Sequence, residues 1–356
     1  MKQKILKLPI NIDKVECVSE CWTFNRMAIL KSLPYYEDWI ASHYDLHATS
    51  NFNFFFGQNQ IYTPDYYDII LNRKFINLFE LTESDVVDRL KDKLSKGYYL
   101  ILYFKPLSDV EWYHEVLIFG FDDMKKVFHC IGLEKRIFQE KEYDYTYMKD
   151  ALKAVKKHIK ENKKGINLGM QFQYALSAFQ PKDDYCTDNC VFEAYRKIRN
   201  ELYGEEGLRH RLTSVGEFQQ QAQYYKGICC LDALQNMLNK LIVGENIGGG
   251  FRGITNAFQK LYEHRYMMII SLKYVLKNWE KAIKSNAAEY ISTYEECCNI
   301  VEKWVKMAIK YELTTKTEIL ERILAEIPEV YEREYNCLNE FVNNCIDWDK
   351  FHDYYV

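Results

Sequence analysis

The 356-residue chain has no run of about eighteen apolar residues, so the reading holds no membrane-spanning helix. Its start is Met1-Lys2-Gln3-Lys4 followed by Ile5-Leu6-Lys7-Leu8-Pro9-Ile10-Asn11, too short and too interrupted for the apolar core of a signal peptide. Positive charge is also in short supply. Lys and Arg number 47 against 51 Asp and Glu, a net charge of -4. With no surplus of cations to displace phosphate counterions, a general polyanion binder is excluded, and nucleic acid with it. There is no internal repeat and no low-complexity tail. The eleven cysteines are an odd number, and the adjacent pairs Cys229-Cys230 and Cys297-Cys298 fall in helix-like sequence where neighbouring side chains point apart. That excludes a secreted disulfide scaffold and points to a reducing cytoplasm.

Metal-ligand spacing is missing too. His129 and Cys130 are adjacent on a strand-like run, so at most one of them shares a face with His114. Cys186-Thr187-Asp188-Asn189-Cys190 has no partner pair at zinc spacing, and no metal is expected. Gly248-Gly249-Gly250-Phe251-Arg252-Gly253 follows no strand and precedes no Lys-Ser or Lys-Thr, which makes it a helix connection rather than a phosphate cradle. The chain is therefore expected to work without a nucleotide or any other cofactor.

What is present is core-forming material. At 48% hydrophobic and 28% charged, the length suffices for one large domain or two ordinary ones. The 29 Tyr, 20 Phe and 6 Trp suit an aromatic core or a wide cleft. Residues 21–32 carry Phe24, Met27, Ala28, Ile29 and Leu30 at buried-helix spacing, closed by Leu33-Pro34. Thr82-Glu83-Ser84-Asp85 forms a helix cap ahead of Val86, Val87, Leu90 and Leu94. The period then changes: residues 98–104, 114–121, 127–133 and 136–139 read as strands, rich in β-branched and aromatic side chains. After Tyr145 helical spacing dominates residues 148–160, 189–202, 215–241, 254–283, 288–312 and 317–345, which predicts an antiparallel helical bundle. The expected fold class is α+β, with a catalytic domain over residues 1–145 and a helical domain over 146–356 that covers its cleft.

Cys21 opens the first helix, and His114 begins a strand. A thiol in the first helical turn feels the unbonded backbone N–H groups and the positive dipole end, both of which favour thiolate and accept a developing oxyanion. An imidazole on a facing strand completes the ion pair, so the pattern reads as a cysteine nucleophile for acyl chemistry. The opposing reading of Cys21 is a small buried thiol beside Trp22.

Cys21-Trp22-Thr23-Phe24 resembles the Cys-Trp-Ala-Phe of papain-type cysteine proteases, and Ile29-Leu30 falls where bacteriocin-processing peptidases carry apolar helix positions. His114-Glu115-Val116-Leu117-Ile118-Phe119-Gly120-Phe121-Asp122 is similar to the histidine strand of the butirosin-biosynthesis-H-like proteins, papain-like acyltransferases. Residues 251–276, with Tyr262-Glu263-His264-Arg265, resemble the helical half of the same family. The resemblance covers most of the chain through short motifs. It implies a papain-like N-terminal domain and acyl transfer through Cys21 and His114. Two positions depart from it. Val15 stands where papain-type enzymes carry an oxyanion-hole glutamine, and the expected Asp or Asn partner of the histidine is absent.

Asp122 and Asp123 belong to a turn with Met124-Lys125-Lys126. A hairpin centred near Met124 puts residues 132–134 opposite His114, so Glu134 is the candidate to orient the imidazole. Its competing reading is a surface partner of Lys135 or Arg136. Lys153, Lys156, Lys157, Lys160, Lys163 and Lys164 make a basic helix end, with Lys125, Lys126, Lys135 and Arg136 elsewhere in the same region. This is a solvated helix face or a dock for an acidic carrier protein.

Taken with the resemblance, the expected function is ATP-independent amide formation: an acyl group passes from a carrier-protein thioester through acyl-Cys21 to a small amine in thiotemplate natural-product biosynthesis. With water as acceptor the same residues make a cysteine peptidase or thioesterase. A catalytically silent binding protein of the same fold is the third alternative.

Overall fold

The computed structural model describes residues 4–49, 54–56, 67–104, 114–134, 137–161, 176–212, 218–245, 247, 253–284 and 286–355. Along the chain run β1 (Ile5–Lys7), α1 (Cys21–Leu30), α2 (Tyr36–Ser42), β2 (Leu46–Thr49), β3 (Phe54–Phe56), α3 (Tyr67–Ile70), β4 (Leu71–Ile76) and α4 (Val86–Ser95). Then come β5 (Tyr99–Phe104), β6 (His114–Asp122), β7 (Val127–Glu134), β8 (Ile137–Asp144), α5 (Tyr145–Glu161) and β9 (Leu176–Pro181). The remainder is α6 (Cys190–Tyr203), β10 (Glu205–Leu212), β11 (Phe218–Lys226), α7 (Cys230–Ile242), α8 (Ile254–Asn278), α9 (Ala287–Thr314), α10 (Thr317–Asn344) and α11 (Trp348–Tyr355). This is a mixed fold of helices and antiparallel sheets, an α+β arrangement. Among the described residues no helix is long and apolar enough to cross a membrane.

The chain divides into two units interleaved in sequence. The first holds α1, α4, α5 and a sheet ordered β4-β9-β5-β6-β7-β8, with β1 alongside β6. The second holds β2 and β3 together with the long helices from α6 onward. The single boundary expected after residue 145 is thus replaced: α5 and β9 belong to the first unit, and β2 and β3 to the second. The reason is non-local pairing, because β9 pairs with both β4 and β5 while β2 pairs with β11.

Local chemistry explains the elements of the first unit. Thr82 and Asp85 exchange bonds, Thr82 N–H to Asp85 Oδ1 at 2.7 Å and Asp85 N–H to Thr82 Oγ1 at 3.2 Å, a reciprocal cap ahead of α4. Asp122 Oδ1 accepts the N–H groups of Met124 and Lys125 and so makes the β6–β7 turn. The ladder between those strands slips between Ile118 and Gly120, where β1 also arrives, and a Cβ at Gly120 would strike the Leu6 carbonyl. Leu100, Leu102, Val116, Ile118 and Cys130 face α4 and α5 in one apolar core. Strand alternation sends Ile101, Leu117 and Ile131 to the opposite side.

The second unit departs most from its sequence reading. The helix expected over 215–241 is β11, a 3₁₀ turn at Gly227–Cys229 and then α7, and β10 precedes it. β11 bonds to β2 from Tyr224↔Thr49 to Lys226↔His47, a pairing across the chain that outweighs local helical spacing. The long helices follow expectation closely. α8, α9 and α10 start within a residue of the predicted positions, and buried Leu272, Ile291 and Phe341 are among those forming their common core.

Candidate active site

Cys21 is the first residue of α1. Glu20 before it is extended, with φ -138° and ψ 122°, and the first helical bond runs from Phe24 N–H to Glu20 O at 2.9 Å. The N–H groups of Cys21, Trp22 and Thr23 therefore precede the helical ladder, at the positive end of the α1 dipole. The buried Glu20 carboxylate accepts from Thr23 Oγ1 at 3.0 Å, tying the residue before the helix to its first turn.

His114 is the first residue of β6, and its Nδ1 lies 3.6 Å from Cys21 Sγ. Both side chains are half-buried, so the contact is shielded while still open to a reactant. At that separation a thiol proton needs only a small adjustment to reach the imidazole. One turn beyond the thiol, the fully buried Asn25 donates from Nδ2 to the carbonyl of Glu115, the neighbour of His114, at 3.1 Å.

The wall beside Cys21 is aromatic and cationic. Arg26, fully buried, donates from Nε to Trp22 O at 3.2 Å. Its guanidinium lies 4.5 Å from the Trp22 ring and 3.6 Å from the Tyr67 ring. Arg73 sits 5.1 Å from the same indole, which meets Phe179 edge-on at 5.6 Å. Guanidinium–ring stacking fixes Trp22 and adds positive potential next to the nucleophile's backbone. Phe24 stacks on Phe138 of β8 at 3.8 Å, a second anchor between α1 and the sheet.

The expected residues do not all converge. Cys21 and His114 meet. Glu134 lies opposite His114 if the Leu117↔Ile131 pairing is continued to the end of β7, but its carboxylate is bonded by Gln139 and Lys141 of β8. Val15, at the glutamine position of the resembled family, is buried and offers no side-chain donor. His129 and Cys130 take opposite faces: His129 Nδ1 lies 3.6 Å from Glu142, whereas Cys130 is in the apolar core with its thiol pushed well up by burial. Among the described residues no three His, Cys, Asp or Glu side chains gather to hold a metal.

All eleven cysteines are free thiols. Burial raises the thiols of Cys297, Cys298 and Cys337 to about 12 and that of Cys345 to about 11, which leaves them inert near neutrality. On α5, Lys153 lies 3.6 Å from Glu83 and Lys157 3.7 Å from Glu161; Lys156 donates to Leu81 O, and Lys160 stands over Phe79. These lysines line a shallow groove. Lys135, Arg136, Lys163, Lys164 and the run 248–252 lie outside the described residues.

Sequence reasoning missed Asn25, Arg26 and the Glu20–Thr23 bond. The signal was available in part: Asn25-Arg26 interrupts an otherwise apolar helix, and a buried polar pair needs partners. Compared with protein-family models and with curated proteins, the sequence matches none.

Proposed function

We propose that the chain is a cysteine-dependent acyltransferase of papain-like type that forms amides without ATP. The observation carrying the reading is the 3.6 Å approach of Cys21 Sγ to His114 Nδ1 at the start of α1. In this mechanism His114 takes the thiol proton, and the Cys21 thiolate attacks the carbonyl of an acyl thioester presented by a carrier protein. The carrier thiol leaves with the proton from His114, and acyl-Cys21 remains. An amine then attacks that thioester, gives its proton to His114, and departs as the amide while the thiol is restored.

Thiol-for-thiol exchange is close to isoenergetic and aminolysis runs downhill, so no nucleotide is needed. The N–H groups at the start of α1 receive the oxyanion. With Val15 at the glutamine position, an activated thioester suits the site better than a peptide, because loss of one oxyanion donor costs about 10²-fold or more in rate. Glu134 is proposed as the orienting carboxylate on its ladder position alone. The reading places the protein in the cytoplasm, as its free thiols suit.

Intact-mass spectrometry after incubation with acyl-pantetheine thioesters tests the proposal. An acyl adduct on Cys21, discharged by added amine to an amide, is expected. Discharge to the free acid alone assigns a thioesterase or peptidase instead. No adduct, together with full biological activity of Cys21→Ala, assigns a silent binding protein.

A further inference from the structure

We infer that Asn25 is a positioning residue that sets the Cys21–His114 separation, an inference that rests on the nucleophile–base reading of that pair. Asn25 is four residues after Cys21, so the two side chains leave α1 on neighbouring parts of one face, a turn apart. Glu115 is the next residue after His114. The bond from Asn25 Nδ2 to Glu115 O at 3.1 Å therefore runs beside the Sγ–Nδ1 approach and joins the same two elements.

The chemistry of the residue argues for a purpose beyond packing. Asn25 is 0% exposed, within a stretch where Met27, Ala28, Ile29 and Leu30 are equally buried. An apolar side chain would bury there at lower cost, since Asn25 Oδ1 is buried with no hydrogen-bond partner among the described residues. One polar atom is left unmatched so that the other can reach the β6 backbone. Apolar contacts between helix and sheet are non-directional and tolerate sliding. A hydrogen bond to a backbone carbonyl does not, and an ångström of misplacement in a catalytic pair costs about 10²-fold.

The test uses the full chain and two thiol probes. Iodoacetamide alkylation of Cys21, followed by peptide mass spectrometry against pH, reports its thiolate fraction. 1,3-Dibromoacetone, which loses bromide at each end as it joins sulfur to nitrogen, reports whether Cys21 and His114 are within one short bridge. Asn25→Leu keeps the branched shape, with bulkier methyl groups in place of the amide, and removes the donor; Asn25→Ser turns its hydroxyl back to α1 and serves where the leucine variant does not fold.

In folded variants, bridging and low-pH alkylation should each fall about tenfold from the unaltered protein. Variants that fold and retain both rates overturn the role of Asn25, because a residue needed only for stability would leave the native geometry intact. In the unaltered chain the Asn25 side-chain amide protons must exchange slowly with solvent, and fast exchange overturns the inference without any variant. Absence of Cys21–His114 bridging in the unaltered protein has a separate meaning: the nucleophile–base reading itself fails.

Discussion

The two units handle ionisable side chains differently. In the first, the core beneath α4 and α5 is apolar, and the chemistry stands at element ends: Cys21 at the start of a helix and His114 at the start of a strand, both half-buried. Ion pairs such as Lys96–Asp92 and Lys125–Glu142 are largely exposed and contribute little to stability. In the second, charge is sealed among the helices. Arg265 of α8 binds Glu334 of α10 through two bonds, Nε to Oε1 at 3.1 Å and Nη2 to Oε2 at 3.0 Å, and neither residue is more than 1% exposed. Glu201 of α6 and His264 of α8 approach to 3.6 Å, and among the described residues Glu201 Oε1, both His264 ring nitrogens, Arg265 Nη1 and Tyr294 Oη have no hydrogen-bond partner. Buried Lys197 donates to His43 O at 2.7 Å.

The difference teaches where each unit is vulnerable. The apolar core beneath α4 and α5 is indifferent to pH, and Glu20, Arg26 and His129, buried in the same unit, are not part of it. A buried ionic core makes the packing of its helices depend on protonation. Tyr262-Glu263-His264-Arg265 contributes three buried residues to the polar interior, Glu263, His264 and Arg265.

The sharpest break between the units comes from their key side chains. Cys21→Ala should abolish acyl-enzyme formation and leave the unfolding midpoint nearly unchanged. His114→Ala should slow acylation by about 10²- to 10⁴-fold. Glu134→Gln separates two roles: an orienting carboxylate predicts a large rate loss, and a partner of Lys141 predicts none. Rapid-quench mass spectrometry beside urea denaturation reads all three.

Glu334→Ala should do the reverse. It leaves the Arg265 guanidinium buried and unpaired, at a cost of about 3–5 kcal/mol, while Cys21 alkylation in the folded protein proceeds as before. A midpoint within error of the unaltered protein would erase the contrast between the units.

The next effect is in pH. Burial raises the Glu201 carboxyl to about 7, with Glu334 and Asp45 adding to the shift and Arg265 and Lys197 opposing it. A raised acid contributes stability that is full below the unfolded value near 4.5 and is lost as pH climbs through about 7. Across that window the loss is about 3 kcal/mol. His43, brought down to about 4 by burial, and His264, lowered by burial and the Arg265 charge, act oppositely: their stability is present above about 6.5 and lost on acidification. Glu201→Gln removes only the first trend. Its stability relative to the unaltered chain should therefore improve from pH 4.5 to 7 and level off above, measured by denaturant titration at fixed pH steps.

The smallest effect concerns α5. Lys157→Glu with Lys160→Glu reverses charge on an exposed helix face, so folding should be unchanged. If an acidic carrier docks there, acyl delivery should fall several-fold at low salt and converge with the unaltered protein at high salt. Equal rates at low salt would confine those lysines to solvation.

Much of the first unit could be read from local pattern. The Thr82–Asp85 cap, the turn after Asp122 and the strands β5 to β7 each depend on neighbours within a few residues, and each is found where expected. The same holds for α8, α9 and α10, where apolar spacing extends over many turns. β9, β10 and β11 were out of reach for the opposite reason. The β4 and β5 partners of β9 and the β2 partner of β11 lie far away in sequence; β10 pairs with the neighbouring β11, whose Gln-rich stretch carries no periodic signal of its own.

At the candidate site the same division applies. The placing of Cys21 at a helix start and His114 at a strand start follows from sequence alone, since helix entry and strand period are local properties of the chain. Their 3.6 Å approach, the Asn25 bond that accompanies it and the Gln139 and Lys141 contacts of Glu134 were settled by tertiary packing. So was the sealing of Arg265 with Glu334. Side-chain distances across elements depend on register and on competition for buried polar partners, and neither is written in the spacing of residues along one strand or helix.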